Sequence, residues 1–236
     1  MSAVFQPIQK SFTHDGIELC YFEWGEAVES KPSLLFVHAT GFHGRCWDEL
    51  IERFPDCHCI AYEQHGHGRS EGGRIEHWRD VAAELAAFVL SRGHRFDLAV
   101  GHSMGGHSLV TAAALTPVFD KLLLIDPTIF NPESYAHDEA YRAAFKPGQA
   151  PSERRRADFS SPEAMMEGLA QKGSFPVYSR RSYEDYCRYG LLEQADGSWR
   201  LACEPAVEAS VYVSSRSNPG VHEDIASIEV PVHIMR

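Results

Sequence analysis

Residues 99–110 read "AVGHSMGGHSLV". An apolar run enters this stretch, a second apolar run leaves it, and Ser103 stands between them on a Gly-x-Ser-x-Gly spacing. A buried strand that turns straight into a helix leaves no room for side chains beside the corner. Gly101 and Gly105 supply that room, and Gly106 lets the helix lie close to the sheet. The serine at such a corner is forced out at the carboxyl end of the sheet, beside the free N–H groups of a helix start. That is where a nucleophile and a developing oxyanion are best served.

The sequence around this corner alternates strands and helices. "IELCYFEW" (17–24) alternates as a half-buried strand. "SLLFVHA" (33–39), "CIAY" (59–62), "LAVGH" (98–102) and "LLLID" (122–126) are near-continuous apolar runs, as expected of parallel strands buried on both faces. Trp78, Val81, Ala82, Leu85, Phe88 and Val89 recur at helical spacing before Gly93. "WDELIERF" (47–54) predicts a shorter helix, and the segment after Ser103 predicts one ending before Pro117. The fold class expected is α/β, a mostly parallel, doubly wound sheet.

After Asp126 the rhythm changes. "SPEAMMEGLAQKG" (161–173), "SYEDYCRYG" (182–190) and "EPAVEASVYV" (204–213) read as helices, and "EQADGSWRL" (193–201) as a small hairpin on an Asp-Gly turn. The expected organisation is a core over 1–126, a helical insertion over 127–224, and a return to the sheet over 225–236.

Composition narrows the function classes. The 236 residues carry a net charge of −11, which disfavours nucleic acid and anionic membranes as partners. The one basic cluster, Arg154–Arg156, reads as a solvated patch. Six scattered cysteines with no basic, apolar leader before them point to free thiols and a cytoplasmic setting. "CHC" at 57–59 alternates across a strand, so its side chains cannot converge on a metal. No metal and no cofactor are expected.

A second loop agrees with the serine corner. "HATG" (38–41) follows the strand at 33–37 and offers a backbone N–H, that of Thr40, toward the oxyanion served by the Met104 N–H. "EQHGHGRS" (63–70) adds a glycine-rich loop after the next strand. These three motifs together resemble the α/β-hydrolase superfamily: "HATGF" is similar to its oxyanion loop, "EQHGHGRS" to its D-x-R-G-H-G-x-S loop, and "GHSMGG" to its nucleophile elbow. Ala39 stands for the usual glycine, Glu63 for the usual aspartate and His65 for the usual arginine.

The resemblance implies a hydrolase acting on a small or medium apolar ester, with Ser103 as nucleophile, Thr40 and Met104 as oxyanion donors, and His38, Gly41 and His102 bracing the site. In this family the acid follows either the sixth or the seventh strand, and the first option selects Asp126. The base histidine follows the last strand. Nothing follows "VPVHIMR" here, so the resemblance implies that the base lies beyond residue 236 and that the final strand and helix are missing. The same parts would serve a thioesterase, a lactonase or a C–C bond hydrolase, and, without a base, a non-catalytic binding protein.

Overall fold

The computed structural model describes residues 6–145, 148 and 150–236. Its centre is a seven-stranded sheet. In chain order the first strands are β1 (Ile8–His14), β2 (Ile17–Trp24), β3 (Ser33–Val37), β4 (His58–Tyr62), β5 (Leu98–His102) and β6 (Leu122–Ile125). Three short strands follow outside this sheet: β7 (Asp158–Phe159), β8 (Leu191–Glu193) and β9 (Trp199–Leu201). The chain then returns through β10 (Val232–Met235). The spatial order is β1-β2-β4-β3-β5-β6-β10, with β1 and β2 antiparallel and β3 to β10 parallel.

Both faces of β3, β4 and β5 are covered, which is why these strands read as unbroken apolar runs. Leu35, Val37, Ile60 and Tyr62 point into one core cluster. That cluster takes Leu85, Phe88 and Val89 of one helix, Trp78–Ser91, and Leu109, Val110 and Ala112 of another, Met104–Leu115. Leu34, Phe36, Cys59 and Ala61 point the other way, against Ile51 and Trp47. The helix expected over 47–54 is a single turn, Asp48–Ile51, preceded by a tight 3-10 turn at Gly44–Trp47. A strand over Ile8–His14, mostly exposed, was not visible in the sequence pattern, because an edge strand with two wet sides shows little apolar alternation.

Between β6 and β10 lie helices Pro162–Leu169, Arg180–Tyr189 and Pro205–Val213, each close to its expected position. Ser161 caps the first of these, its hydroxyl accepting from the Ala164 N–H at 3.2 Å. The hairpin at 191–201 forms, and β7 adds a third strand to it, so this region is not purely helical. A two-residue strand is too short to leave a periodic signal. A later helix, Val221–Ser227, packs back onto the core through fully buried Val221. β10 closes the sheet as an edge strand with its side chains exposed.

Candidate active site

The elbow is built as tightly as its glycines suggest. A Cβ on Gly105 would lie 2.3 Å from the Val37 carbonyl oxygen and 2.6 Å from that of His38; a Cβ on Gly101 would lie 2.6 Å from the Gly105 oxygen. Gly105 therefore lets the helix touch β3. A Cβ on Gly106 would lie 3.2 Å from the Gly101 carbonyl oxygen of β5 and 2.9 Å from Pro127 of the loop after β6, so Gly106 also lets the helix lie close to the sheet. Ser103 has φ +54° and ψ −116°, a conformation that costs a non-glycine residue roughly 1–3 kcal/mol and persists only where its surroundings impose it. Here they do: the Ser103 N–H donates to Ile125 O at 3.0 Å, and Ser103 O accepts from the N–H groups of Gly106 (3.0 Å), His107 (3.2 Å) and Thr128 (3.1 Å). The side chain, half-buried, lies with Oγ 3.0 Å from Thr128 Oγ1.

The loop after β3 is fixed from below. The Gln64 N–H donates to His38 Nε2 at 3.0 Å, which leaves the ring proton on Nδ1, donated to Ala39 O at 2.8 Å. Gln64 also donates through its side chain to His38 O (2.7 Å) and accepts from Ser108 Oγ (2.8 Å). Burial, with His67 beside it, holds His38 well below the usual imidazole range, so it is a neutral strut. The Phe42 N–H then closes a turn onto Ala39 O at 3.1 Å, with Gly41 at φ +74° where a side chain would be strained. Thr40 and Met104 are both buried, and among the described residues neither backbone N–H has a protein acceptor. Buried backbone donors are nearly always paired. These two lie on the two loops that flank the serine.

The altered residues of the next loop have found new partners. Glu63 is fully buried; its carboxylate accepts from the N–H groups of Gly44 (3.1 Å) and Arg69 (2.5 Å), so it ties this loop to the one after β3. His65 accepts from the Gly73 N–H (3.1 Å) and donates from Nδ1 to Glu84 (2.9 Å).

The remaining histidines on this side are committed elsewhere. His43 donates to Tyr186 O at 3.1 Å, and burial takes it down to about 3. His107 donates to Thr128 O (3.0 Å) and accepts from Asn218 (3.0 Å); burial takes it to about 4. His222 donates to Phe130 O at 3.0 Å. His102 is half-buried and faces a cavity. Among the described residues, no histidine ring is hydrogen-bonded to Ser103 Oγ or to the Asp126 carboxylate. Asp126 itself sits at the carboxyl end of β6 with φ +41°, its N–H donating to Met235 O (2.7 Å) and its side chain exposed.

A cavity of about 290 Å³ lies between the loop after β3 and the helix Arg180–Tyr189. His102 and Ala39 bring its wall to the elbow, although Ser103 itself does not line it. Phe42, Trp47, Tyr178 and Tyr186 make it largely apolar, and no Lys, Arg, Asp or Glu is among its lining residues. The hydroxyls of Ser179 and Ser182 in its wall are both donated to Glu49.

A sequence model described as the alpha/beta hydrolase family matches residues 34–235, which spans the elbow, both flanking loops and the return to β10. The chain belongs to the alpha/beta hydrolase family. Within it, monoglyceride lipase of Rattus norvegicus is 30% identical over 145 residues, covering 55% of this chain and 46% of that protein. A 2-(acetamidomethylene)succinate hydrolase of Mesorhizobium japonicum is 36% identical over 92 residues, covering 37% of this chain and 32% of that one. The matches thus span less than half the length of these curated relatives. A crystal structure of E-2-(acetamidomethylene)succinate hydrolase superposes with a TM-score of 0.75 at 25% identity, over 98% of this chain and 80% of that one.

Three features escaped the sequence reading. Thr128, the partner of Ser103 Oγ, stands two residues past Asp126. Its signal is positional, because the loop after β6 must emerge beside the elbow once β5 and β6 are neighbours. Gln64, which orients His38, gave none. The Arg154–Arg156 cluster is not simply a solvated patch: Arg154 and Arg156 are exposed, but Arg155 turns inward to an ion pair with buried Glu208. The six cysteines are all unpaired, and His58 of "CHC" is held by Ser33 (2.9 Å) and Glu23 (2.8 Å). Among the described residues no helix is long and apolar enough to cross a membrane.

Proposed function

We propose that this alpha/beta hydrolase cleaves small or medium, uncharged, apolar carboxylic esters through an acyl intermediate on Ser103. The observation that carries the reading is the convergence at one corner of a strained, imposed serine and two unpaired backbone N–H groups, those of Thr40 and Met104. Ser103 Oγ would attack the ester carbonyl as its proton passes to a base imidazole, which then hands it to the departing alcohol. The carbonyl oxygen, now negative, would move between the two donors, which together are worth a few kcal/mol in a water-poor site. Collapse of that intermediate would expel the alcohol, and water would later release the acid.

Asp126 is the proposed acid. Its support is its place at the carboxyl end of β6 beside the elbow, a left-handed backbone that only surrounding structure can impose, and a carboxylate without a hydrogen-bond partner among the described residues. The absence of charged residues in the cavity lining favours a neutral ester, the class of substrate named for the lipase relative, over a dicarboxylic acid derivative such as that named for the succinate hydrolase. Six unpaired cysteines agree with a reducing, cytoplasmic setting.

The test is hydrolysis of p-nitrophenyl acetate, butyrate and octanoate by the protein and by two variants. Ser103→Ala is expected to lower kcat by about 10⁴-fold. Asp126→Asn is expected to cost a similar factor, roughly 10⁴, with the fold retained, because an unoriented imidazole takes the wrong tautomer. Near-normal activity in the second variant would remove Asp126 from the mechanism without touching Ser103.

A further inference from the structure

The turn that carries Thr40 rests on a half-buried ion pair. The guanidinium of Arg155 is paired with the Glu208 carboxylate, and it donates a second bond to Tyr186 Oη at 3.0 Å. A Cβ placed on Gly41 would lie 3.1 Å from the Glu208 carboxyl group and 3.3 Å from Arg155 Nη1, so the pair touches the back of the turn with no layer between. Tyr186 completes the support: its ring packs on Phe42 with centroids 5.1 Å apart, and its carbonyl accepts from His43. The turn over Ala39–Phe42 is thus held from below by His38 and from outside by Arg155, Glu208 and Tyr186.

This arrangement poses an electrostatic problem. Glu208 is a carboxylate with a side chain only 8% exposed, and it lies against Gly41, the residue after a proposed oxyanion donor. An unpaired negative charge there would oppose the charge that forms on the substrate oxygen, and low-dielectric surroundings would magnify the effect. Arg155 cancels it. We infer that Arg155 and Glu208 are positioning residues of the oxyanion turn, and that the charge of Arg155 keeps Glu208 from opposing the oxyanion. The inference rests on the reading of Thr40 as an oxyanion donor.

A passive prop and a charge-balancing prop predict different mutant patterns. If only packing matters, neutralising either partner costs a similar factor in kcat. If charge balance matters, Arg155→Gln leaves a lone carboxylate behind the turn in assays at alkaline pH, since burial raises the Glu208 carboxyl above its usual range, whereas Glu208→Gln leaves a lone cation that favours the transition state. With p-nitrophenyl butyrate, kcat of Glu208→Gln is expected to exceed that of Arg155→Gln by about tenfold or more, with KM changing by less than about threefold in both. Arg155→Lys, and the double variant Arg155→Gln/Glu208→Gln, are each expected to recover most of the Arg155→Gln loss. Equal losses in the two single variants, or a double variant no better than Arg155→Gln, would overturn the inference.

Should Arg155→Gln fail to fold, Arg155→Lys and the double variant carry the test. Both keep the site neutral, so their kcat values are expected to agree within about threefold, and a gap of about tenfold would overturn the inference. Ser103→Ala is measured alongside. Undiminished hydrolysis in that variant refutes the serine reading itself, whereas its loss combined with equal losses at Arg155 and Glu208 refutes only the charge-balancing role.

Discussion

The Ser103 hydroxyl lies 3.0 Å from the Thr128 hydroxyl, and the Thr128 N–H donates to the Ser103 carbonyl at 3.1 Å. Thr128 is itself held, because its carbonyl accepts from His107, whose other ring nitrogen accepts from Asn218. Asn218 also donates to Thr111, and Thr111 to Asp224 (2.8 Å), which Arg79 pairs from outside. A continuous polar network therefore runs from the surface to the residue that touches Ser103.

Thr128 thus selects the rotamer of Ser103. Removing its hydroxyl in Thr128→Val is expected to lower kcat by about three- to tenfold, the worth of one hydrogen bond, with KM little changed. Thr128→Ser, which keeps the hydroxyl, should recover most of the activity. A steady-state comparison of the two variants on one ester checks this; equal losses would assign Thr128 to packing alone.

Gly105 is expected to tolerate no side chain. Its Cβ would meet two backbone carbonyls, which cannot swing away as a side chain can. Gly105→Ala should destabilise the fold by about 2–4 kcal/mol, measured by urea unfolding. Gly168→Ala is the control, because nothing lies within 4 Å of its Cβ and it sits within the helix Pro162–Leu169. That change should be neutral or stabilising by about 0.5–1 kcal/mol.

The elbow and the sheet were legible for one reason: both impose residue types that no other arrangement requires. Buried parallel strands need unbroken apolar runs, and a helix start touching β3 needs Gly105. The ligand-facing chemistry was less legible, because it is made by residues distant in sequence. Arg155 and Glu208 are 53 positions apart and Thr128 and Ser103 are 25 apart, so no periodicity records either pair. The arginine cluster shows the limit well. Its outer members obey the rule that charge runs are solvated, while the middle one turns inward because a buried carboxylate awaits it. β1 and β7 were missed for a different reason, one being a wet edge and the other two residues long.

Four buried histidines should each lower stability in mild acid, opposed by carboxyls that burial raises: Asp48, to about 6, and Glu63, Asp185 and Glu208. His38, His43, His67 and His107 are buried and neutral, with His67 and His107 lowered by burial to about 4, His43 to about 3, and His38 well below the usual range. Unfolded histidines take up protons near pH 6.5, so the folded state keeps its full advantage above that value and loses it as pH falls toward 4. Each group contributes a slope of up to about 1.4 kcal/mol per pH unit in that window. Glu23, lowered to about 2 by His58 and Lys10, adds a separate loss between about pH 4.5 and 2. Urea midpoints from pH 7 to 4.5 check the first window. His67→Gln should shift the slope by about one proton relative to wild type; an identical slope in the variant would contradict the buried, neutral assignment of His67.

The central claim is that Ser103 is the nucleophile, and covalent labelling tests it most directly. The protein is treated with a fluorophosphonate, digested and mapped by mass spectrometry. A single phosphonyl adduct is predicted on Ser103, absent from Ser103→Ala together with ester hydrolysis. An adduct on another residue, or full hydrolysis by Ser103→Ala, would contradict the account.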